Sequence, residues 1–223
     1  MAATSGKFGS TLDLVATTDT LFGYTVATGI LTSANVRLIN RNSLSAKVRL
    51  AIGTGGSPAL TDYRLFDYQI PGFGIDEETG LLLSAGEKIW VRSDSNNVSA
   101  RMHGMEEAAT GNSGKIGSLD VPNSTPASPV YTQIGTYTPA VLNFATAGVN
   151  LCNRTSSSIA VRLAVGSTGA PPNPQDFILY DFLVASNGLQ EETAIVMSPG
   201  EKLWIYANAA GISARAVCYE EGQ

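Results

Sequence analysis

The sequence predicts an all-β chain built of two tandem antiparallel β-sandwich domains that arose by internal duplication. Three observations predict this class: strand-length alternation recurs about every eight to twelve residues, turn sequences separate those runs, and a set of sequence blocks occurs twice. The composition agrees, since 23 glycines and only 15% charged residues are typical of short strands and tight turns. The sequence leaves the topology open between a jelly roll and an immunoglobulin-like Greek key.

The strands are read from period-two alternation. In residues 47–52, KVRLAI, the side chains of Val48, Leu50 and Ile52 share one face of an extended chain. No segment carries apolar residues at helical spacing over the length that a helix needs. The predicted strands of the first unit cover residues 10–16, 20–27, 34–41, 47–53, 62–70, 79–83, 87–93 and 97–104.

The duplication is carried by matching blocks in one order. Residues 36–52 and 149–165 share ten of seventeen positions at an offset of 113. Later blocks match at an offset of 114, so one extra residue falls in the Gly/Pro-rich loop between Gly166 and Asp176. These later matches are Asp62–Tyr68 with Asp176–Phe182, Glu77–Thr79 with Glu191–Thr193, Ser84–Trp90 with Ser198–Trp204, and Val98–Arg101 and Glu106–Glu107 with Ile212–Arg215 and Glu220–Glu221.

The domain boundary follows from the end of the first set of blocks. Residues 108–114, AATGNSG, have the composition of a linker, and KIGSLD at 115–120 restarts the pattern of the N-terminal residues 7–13. We therefore expect a first β-sandwich repeat at 1–107, a linker at 108–114 and a second repeat at 115–223.

Charge and hydropathy exclude several classes of partner. The net charge of −5 and the scattered basic residues argue against direct binding of nucleic acid. No run approaches the roughly 20 apolar residues that span a bilayer, so no membrane partner is expected. The first eight residues lack the apolar core of a secretory signal, and we expect synthesis in a cytoplasm.

No catalytic, cofactor-binding or metal-binding residues are predicted. The Gly-rich stretch at 53–56 has no following Lys-Ser/Thr, and His103, the one histidine, is matched by Val217 in the other copy. Adjacent glutamates in a strand point to opposite faces, so Glu106 with Glu107 cannot form a facing catalytic pair.

Several repeated residues are instead candidates for packing or for interfaces. Trp90 and Trp204 occupy matched positions and are interpreted as packing residues, with stacking on sugar rings as the alternative. The glutamate pairs lie at domain ends, where solvated charge or a subunit contact is expected. The full set of candidates is Trp90, Trp204, Arg101, Arg215, Glu106, Glu107, Glu220 and Glu221.

The two cysteines, Cys152 and Cys218, both lie in the second repeat. Cys152 matches Ile39 and fills the place of a small hydrophobic residue. A disulfide requires that the two strands be neighbours with suitable Cα spacing. Free thiols are favoured, because a cytoplasm keeps sulfur reduced.

The repeated blocks occur in this order: Asn-Arg, Val-Arg-Leu-Ala, Asp-Tyr/Phe…Tyr/Phe-Asp, Glu-Glu-Thr, Ser-x-Gly-Glu-Lys-x-Trp and Ser-Ala-Arg…Glu-Glu. In this order they resemble a β-sandwich module of virion structural proteins of tailed bacteriophages, cyanophages included. The resemblance covers about 7–107 and 115–221. It implies a non-enzymatic virion component in many copies, on the neck or collar, tail, baseplate or capsid surface. Its implied partners are further copies of itself and other virion proteins, without a cofactor, after synthesis in the host cytoplasm.

The alternative function is a carbohydrate- or receptor-binding module of a tail fibre or an adhesin, with a glycan as its ligand. In that case Trp90 and Trp204 would be the stacking platforms.

Overall fold

Strands make up nearly all regular structure of the chain. The structure is a computed structural model that describes residues 5–9, 12–167 and 172–222, with only the backbone of Ser5 and Gly222. Within those residues, the helical segments are two single 3-10 turns, Leu60–Asp62 and Pro174–Asp176. The prediction of an all-β chain is confirmed. Residues 10 and 11 of the first predicted strand, and 168–171 in the loop with the extra residue, lie outside the described residues.

The chain divides into two compact units, Met1–Ala109 and Thr110–Gln223. The described residues of unit 1 form nine strands and the first 3-10 turn. Its strands are β1 (Ser5–Lys7), β2 (Leu12–Leu14), β3 (Thr20–Leu21), β4 (Ile30–Asn40), β5 (Ala46–Gly53), β6 (Tyr63–Ile70), β7 (Ile75–Leu83), β8 (Lys88–Ser93) and β9 (Val98–Ala108).

Two antiparallel sheets make up unit 1. One sheet has the order β1-β9-β4-β7, with β2 also paired to β9, and the other has the order β3-β8-β5-β6. From β2 onward, each strand passes to the other sheet, except that β5 and β6 pair with each other as a hairpin. The first strand, β1, lies beside the last strand, β9. This order fits the jelly-roll alternative.

The second predicted strand segment, 20–27, is shorter in the structure than expected. Only Thr20 and Leu21 pair regularly, because Gly23 adopts a positive φ of 76° that breaks the extended chain. The side chains of Phe22 and Val26 are nevertheless buried, and their amides bond to the carbonyls of Ile89 in β8 and of Glu87 just before it. Apolar alternation thus predicts burial here correctly, but it does not reveal the break in the ladder.

Unit 2 has eight strands and the second 3-10 turn. Its sheets have the orders β10-β17-β12-β15 and β11-β16-β13-β14, which repeat the order of unit 1. The strands are β10 (Gly114–Asp120), β11 (Thr132–Gln133), β12 (Asn143–Asn153), β13 (Ile159–Gly166), β14 (Phe177–Val184), β15 (Leu189–Met197), β16 (Lys202–Ala207) and β17 (Ile212–Gly222).

The core of unit 2 lies between its two sheets. Leu151 and Ala214 from one sheet and Val161, Leu163 and Ile205 from the other belong to one cluster of buried apolar side chains. In unit 1 the equivalent alternation buries the inward positions of β4 and β5 completely. Burying these apolar faces supplies the main driving force for folding of each unit.

Residues 109–113 connect β9 to β10. Ala108 still belongs to β9 and Gly114 already begins β10, because the backbone pairs extend to both residues. Between them, the amide of Ser113 bonds to the carbonyl of Thr110 in a turn. Within the described residues, no helix has the length and apolar character required to cross a membrane.

Candidate functional site

The two tryptophans are buried. Trp90 is 5% and Trp204 is 9% exposed. In unit 1 the strand register places Trp90 in a row with Ala51 and Tyr63 on one face of the sheet, and the small alanine leaves room for the two aromatic rings. The same Trp-Ala-aromatic row occurs in unit 2. A ring that is almost wholly buried lacks the open face on which a sugar could stack.

Arg101 and Arg215 lie at matched positions but in different surroundings. Arg101 is exposed on β9, directly opposite Arg37 on β4. Arg215 is buried on β17, opposite Asn150 on β12. The sequence match alone gave no sign of this difference, because exposure depends on what covers each sheet.

Glu106 and Glu107 separate as strand alternation requires. Glu106 accepts a hydrogen bond of 2.7 Å from the hydroxyl of Tyr24, and that hydroxyl also lies 2.8 Å from Thr32. Burial, reinforced by the neighbouring Glu106 carboxylate, raises the pKa of Tyr24 to about 12. Glu107 is exposed. Glu106 therefore fastens the loop before β4, and the pair does not face a common cleft.

Glu220 and Glu221 divide in the same way. Glu220 is buried and accepts bonds from the side-chain amide of Asn143 at 3.0 Å and from the backbone amide of Asn112 at 2.8 Å. The bond from Asn143 outweighs desolvation and holds the pKa of Glu220 below its ordinary value. Glu221 is exposed. Glu220 ties the turn that precedes β10 to the last strand.

Both cysteines are buried thiols, and they are not joined by a disulfide. Cys218 on β17 lies opposite Ala147 on β12, and Cys152 lies 152 − 147 = 5 residues further along β12. At about 3.4 Å per residue this is roughly 17 Å, far beyond the Cα spacing of a disulfide. Burial raises the pKa of the Cys218 thiol to about 11, which disfavours the reactive thiolate.

The candidates of one unit do not converge on one site. In unit 1, Trp90 belongs to the β3-β8-β5-β6 sheet, whereas Arg101 and Glu106 belong to the other sheet. Unit 2 separates its candidates in the same way. Among the residues with described positions, no group of three or more His, Cys, Asp or Glu could hold a metal ion.

Two buried asparagines were not singled out from the sequence. The amide of Asn40 donates to the carbonyls of Leu44, Ile70 and Pro71 at 2.9–3.2 Å, and its oxygen accepts from the amide of Asn42. Asn153 makes the matched set of bonds in unit 2. Each asparagine thus joins the loop after its own strand, which crosses to the other sheet, to the end of another strand. The Asn-Arg block, which occurs in both halves of the sequence, was the signal that could have identified these asparagines.

The Val-Arg-Leu-Ala and Asp blocks meet in space. Arg49 donates to the carboxylate of Asp67 at 2.6 Å and lies over the ring of Phe66. Arg162 donates twice to Asp181, at 2.7 and 3.0 Å, and lies over the ring of Tyr180. The bond to aspartate raises the pKa of each arginine above its ordinary value. The charged pair fixes the pairing of two neighbouring strands in each unit.

The Ser-x-Gly-Glu blocks form turns that their own glutamates close. Glu87 accepts from the amide of Ser84 at 2.8 Å, and Glu201 accepts from the amide of Ser198 at 2.6 Å. The intervening glycines have φ values of 82° and 81°, where a side chain would be strained. This repeated block is therefore a turn sequence.

Comparison with known proteins adds likenesses of fold at low identity. No family model matches the chain, and no curated protein matches it. The major capsid protein P2 of bacteriophage PM2 is 9% identical with a TM-score of 0.40, over 99% of this chain and 98% of that one. The STIV MCP is 11% identical with a TM-score of 0.38, over 98% and 97%.

A third likeness is to the CBM22-1-CBM22-2 tandem domain of Xyn10C from Paenibacillus barcinonensis. It is 10% identical with a TM-score of 0.29, over 99% of this chain and 86% of that one. At these identities and TM-scores, none of the three likenesses bears on what this chain does.

Proposed function

We propose that this chain is a non-enzymatic structural component of a tailed-phage virion, present in many copies on the neck or collar, the tail or the capsid surface. The observation that carries the proposal is that the repeated polar residues hold the fold together. In both units Asn40 or Asn153, Arg49 or Arg162, and Glu87 or Glu201 hold loops, strand pairs and turns. The sequence resemblance to phage virion modules supplies the setting.

The proposal includes two tandem jelly-roll domains, at 1–107 and 115–223 with the connection at 108–114, derived from one duplicated gene segment. Support comes from the matched hydrogen bonds, which recur residue for residue at the offsets of the sequence blocks. Independent origins would not be expected to reproduce the same buried asparagine with the same three acceptors.

Assembly with further copies and with other virion proteins is supported by the surface of unit 2. Its edge strand β14 exposes Ile178, Tyr180, Phe182 and Leu183. Edge strands and exposed apolar side chains are liabilities in a monomer, and contact with neighbouring subunits covers both. The net charge of −5 supports protein partners in preference to nucleic acid.

Deletion of the gene tests the proposal. Particles made without it should lack a visible surface or neck feature, or should fall in yield or stability, and supplying the gene in trans should restore them. Particles of unchanged structure, stability and infectivity would contradict a structural role. Glycan binding that survives in the purified chain and accounts for a loss of adsorption would favour the receptor-binding alternative.

A further inference from the structure

One border of unit 2 is apolar. We name the β14–β15 border after the two strands that form it, each of which lies at the edge of its own sheet. Tyr180, Leu183 and Val196 are each more than 60% exposed there, and Ile178 and Phe182 about 40%. Ile178 and Val196 line one groove of about 490 Å³. Ile178 and Val196 are therefore neighbours across the border, and the other exposed apolar side chains lie along β14.

The same border is acidic. In unit 1, Arg64 forms an ion pair with Glu78 between β6 and β7. At the matched positions of unit 2, Ile178 replaces the arginine while Glu192 keeps the carboxylate. The groove is lined by Asp176, Glu192 and Glu201, and no Lys or Arg is among its described lining residues. Replacing one arginine therefore makes this border both more apolar and more negative than its counterpart.

A second surface, in unit 1, carries the opposite charge. We call it the basic face: Lys7, Arg37, Arg101 and His103, on the outer side of the β1-β9-β4-β7 sheet. Arg37 lies directly opposite Arg101, and Lys7 lies opposite His103. Lys7, Arg37 and Arg101 are exposed, and exposed Met105 follows His103 at the next outward position of β9.

The basic face is only partly repeated in unit 2. Arg37 is matched by Asn150 and His103 by Val217, whereas Lys7 is matched by Lys115 and Arg101 by the buried Arg215. Three carboxylates lie around the basic face on the same outer side: Glu77 opposite Arg37, Asp13 opposite Ser99 and ion-paired with Arg41, and Glu107 beyond Met105. At the centre of the face, Arg37 and Arg101 place two positive charges side by side.

We infer that the β14–β15 border of one copy docks on the basic face of a second copy of this chain. Charge complementarity selects this occupant, because the chain offers an acidic apolar border on one unit and a basic sheet face on the other. The contact is head-to-tail, so each bound copy leaves one border and one face open for the next. The inference deepens the proposed function and rests on it only for its biological setting.

Sedimentation velocity of the full chain tests the inference. The chain should form concentration-dependent oligomers that weaken as salt is raised, since the charges at the rim of the contact are screened. Ile178→Arg restores in unit 2 the arginine of the matched position, where Glu192 can pair with it, and should weaken association by about tenfold or more. Leu183→Asp tests the same border independently.

The face is tested by the double variant Arg37→Glu, Arg101→Glu, again with an expected weakening of about tenfold or more. Leu44→Ser, at an exposed apolar residue outside both surfaces, is the matched control and should associate like the parent. Melting temperatures establish that each variant is folded.

Mixing the variants tests the head-to-tail geometry. The Ile178→Arg chain keeps its basic face and the double variant keeps its border, so an equimolar mixture should form a heterodimer and stop there. A parent that stays monomeric, variants that associate undiminished, or a mixture without heterodimer would overturn the inference. A monomeric chain that is nevertheless found in purified particles would overturn only this inference and leave the proposed function standing.

Discussion

At the level of single residues, stability in this chain depends on buried polar side chains that hold loops. Asn40 and Asn153 are fully buried, and each donates to carbonyls in the loop after its own strand and at the end of another strand. An unsatisfied buried carbonyl costs about 1–3 kcal/mol. Their repetition in both units is therefore explained by folding, without any chemistry at the site.

Replacing Asn153 by alanine should lower the free energy of unfolding by about 2–4 kcal/mol, because it removes the donor to the carbonyls of Ser157 and Val184 and the acceptor for the amide of Thr155. Denaturation in urea measures the change. Asn123→Ala, at an exposed asparagine of the same unit, is the control and should change the free energy of unfolding by less than about 0.5 kcal/mol. An equally small loss for Asn153→Ala would refute the role given to its amide.

Glu220 makes part of the stability depend on pH. The pKa of Glu220 lies below its ordinary value of 4.5, so folding favours the ionised carboxylate. This stabilisation is complete above the unfolded-state pKa and is lost as the pH falls through the lower, folded-state pKa. Glu220→Gln should therefore flatten the acid loss of stability between about pH 5 and pH 3.

Thermal melting across that pH range checks the prediction. Exposed Glu221→Gln is the adjacent control and should leave the shape of the acid profile as it is in the parent. An unchanged acid profile in Glu220→Gln would show that another group is responsible.

At the level of strands, each unit pins the same pair of neighbours with a charged contact. Asp67 and Asp181 adopt positive φ values near 50° where the ladder shifts register, and each accepts from an arginine on the adjacent strand. A non-glycine residue in this region costs energy, and the arginine bond compensates by holding the aspartate in place. The bulge and the ion pair therefore stabilise each other.

A double-mutant cycle on Arg162 and Asp181 should give a coupling of about 1–2 kcal/mol, because the contact is bidentate and the arginine is mostly buried. The single variants Arg162→Met and Asp181→Ala, the double variant and the parent are compared by urea denaturation. A coupling energy near zero would mean that strand pairing fixes the bulge without the charges.

Most strands could be predicted from the sequence, because alternation of apolar side chains directly reflects burial between two sheets. The predicted 47–53 and 87–93 agree with β5 and β8 to within one residue. The predicted 97–104 falls short of β9, because Met105 and the two glutamates after it carry no apolar alternation. Register, bulges and sheet order depend on contacts between distant segments, so alternation could not supply them.

The candidate surfaces were less predictable than the strands. Arg101 and Arg215 match in sequence, yet one is exposed and the other buried. Arg64 and Ile178 occupy matched positions in a block that aligns well. Only the structure shows that Arg64 pairs with Glu78, whereas Ile178 lies in a groove with Glu192, so that the second unit keeps the negative charge without the positive one. Repetition identifies what the units share, whereas their differences mark the surfaces available to partners.

At the level of the whole molecule, two units of one strand order present different surfaces. Unit 1 offers a positively charged sheet face and unit 2 an acidic, apolar border. A duplicated domain whose copies diverge at their surfaces can serve as a building block, since each chain carries both halves of a contact. A structural part of a particle needs this property and needs no catalytic centre.

Quantitative mass spectrometry of purified particles tests the structural role most directly. With labelled peptides from both units as standards, the chain should be present at a fixed copy number above one in every preparation, and it should remain after stringent washing. Absence from purified particles, with the protein abundant only in the infected-cell lysate, would contradict the structural role.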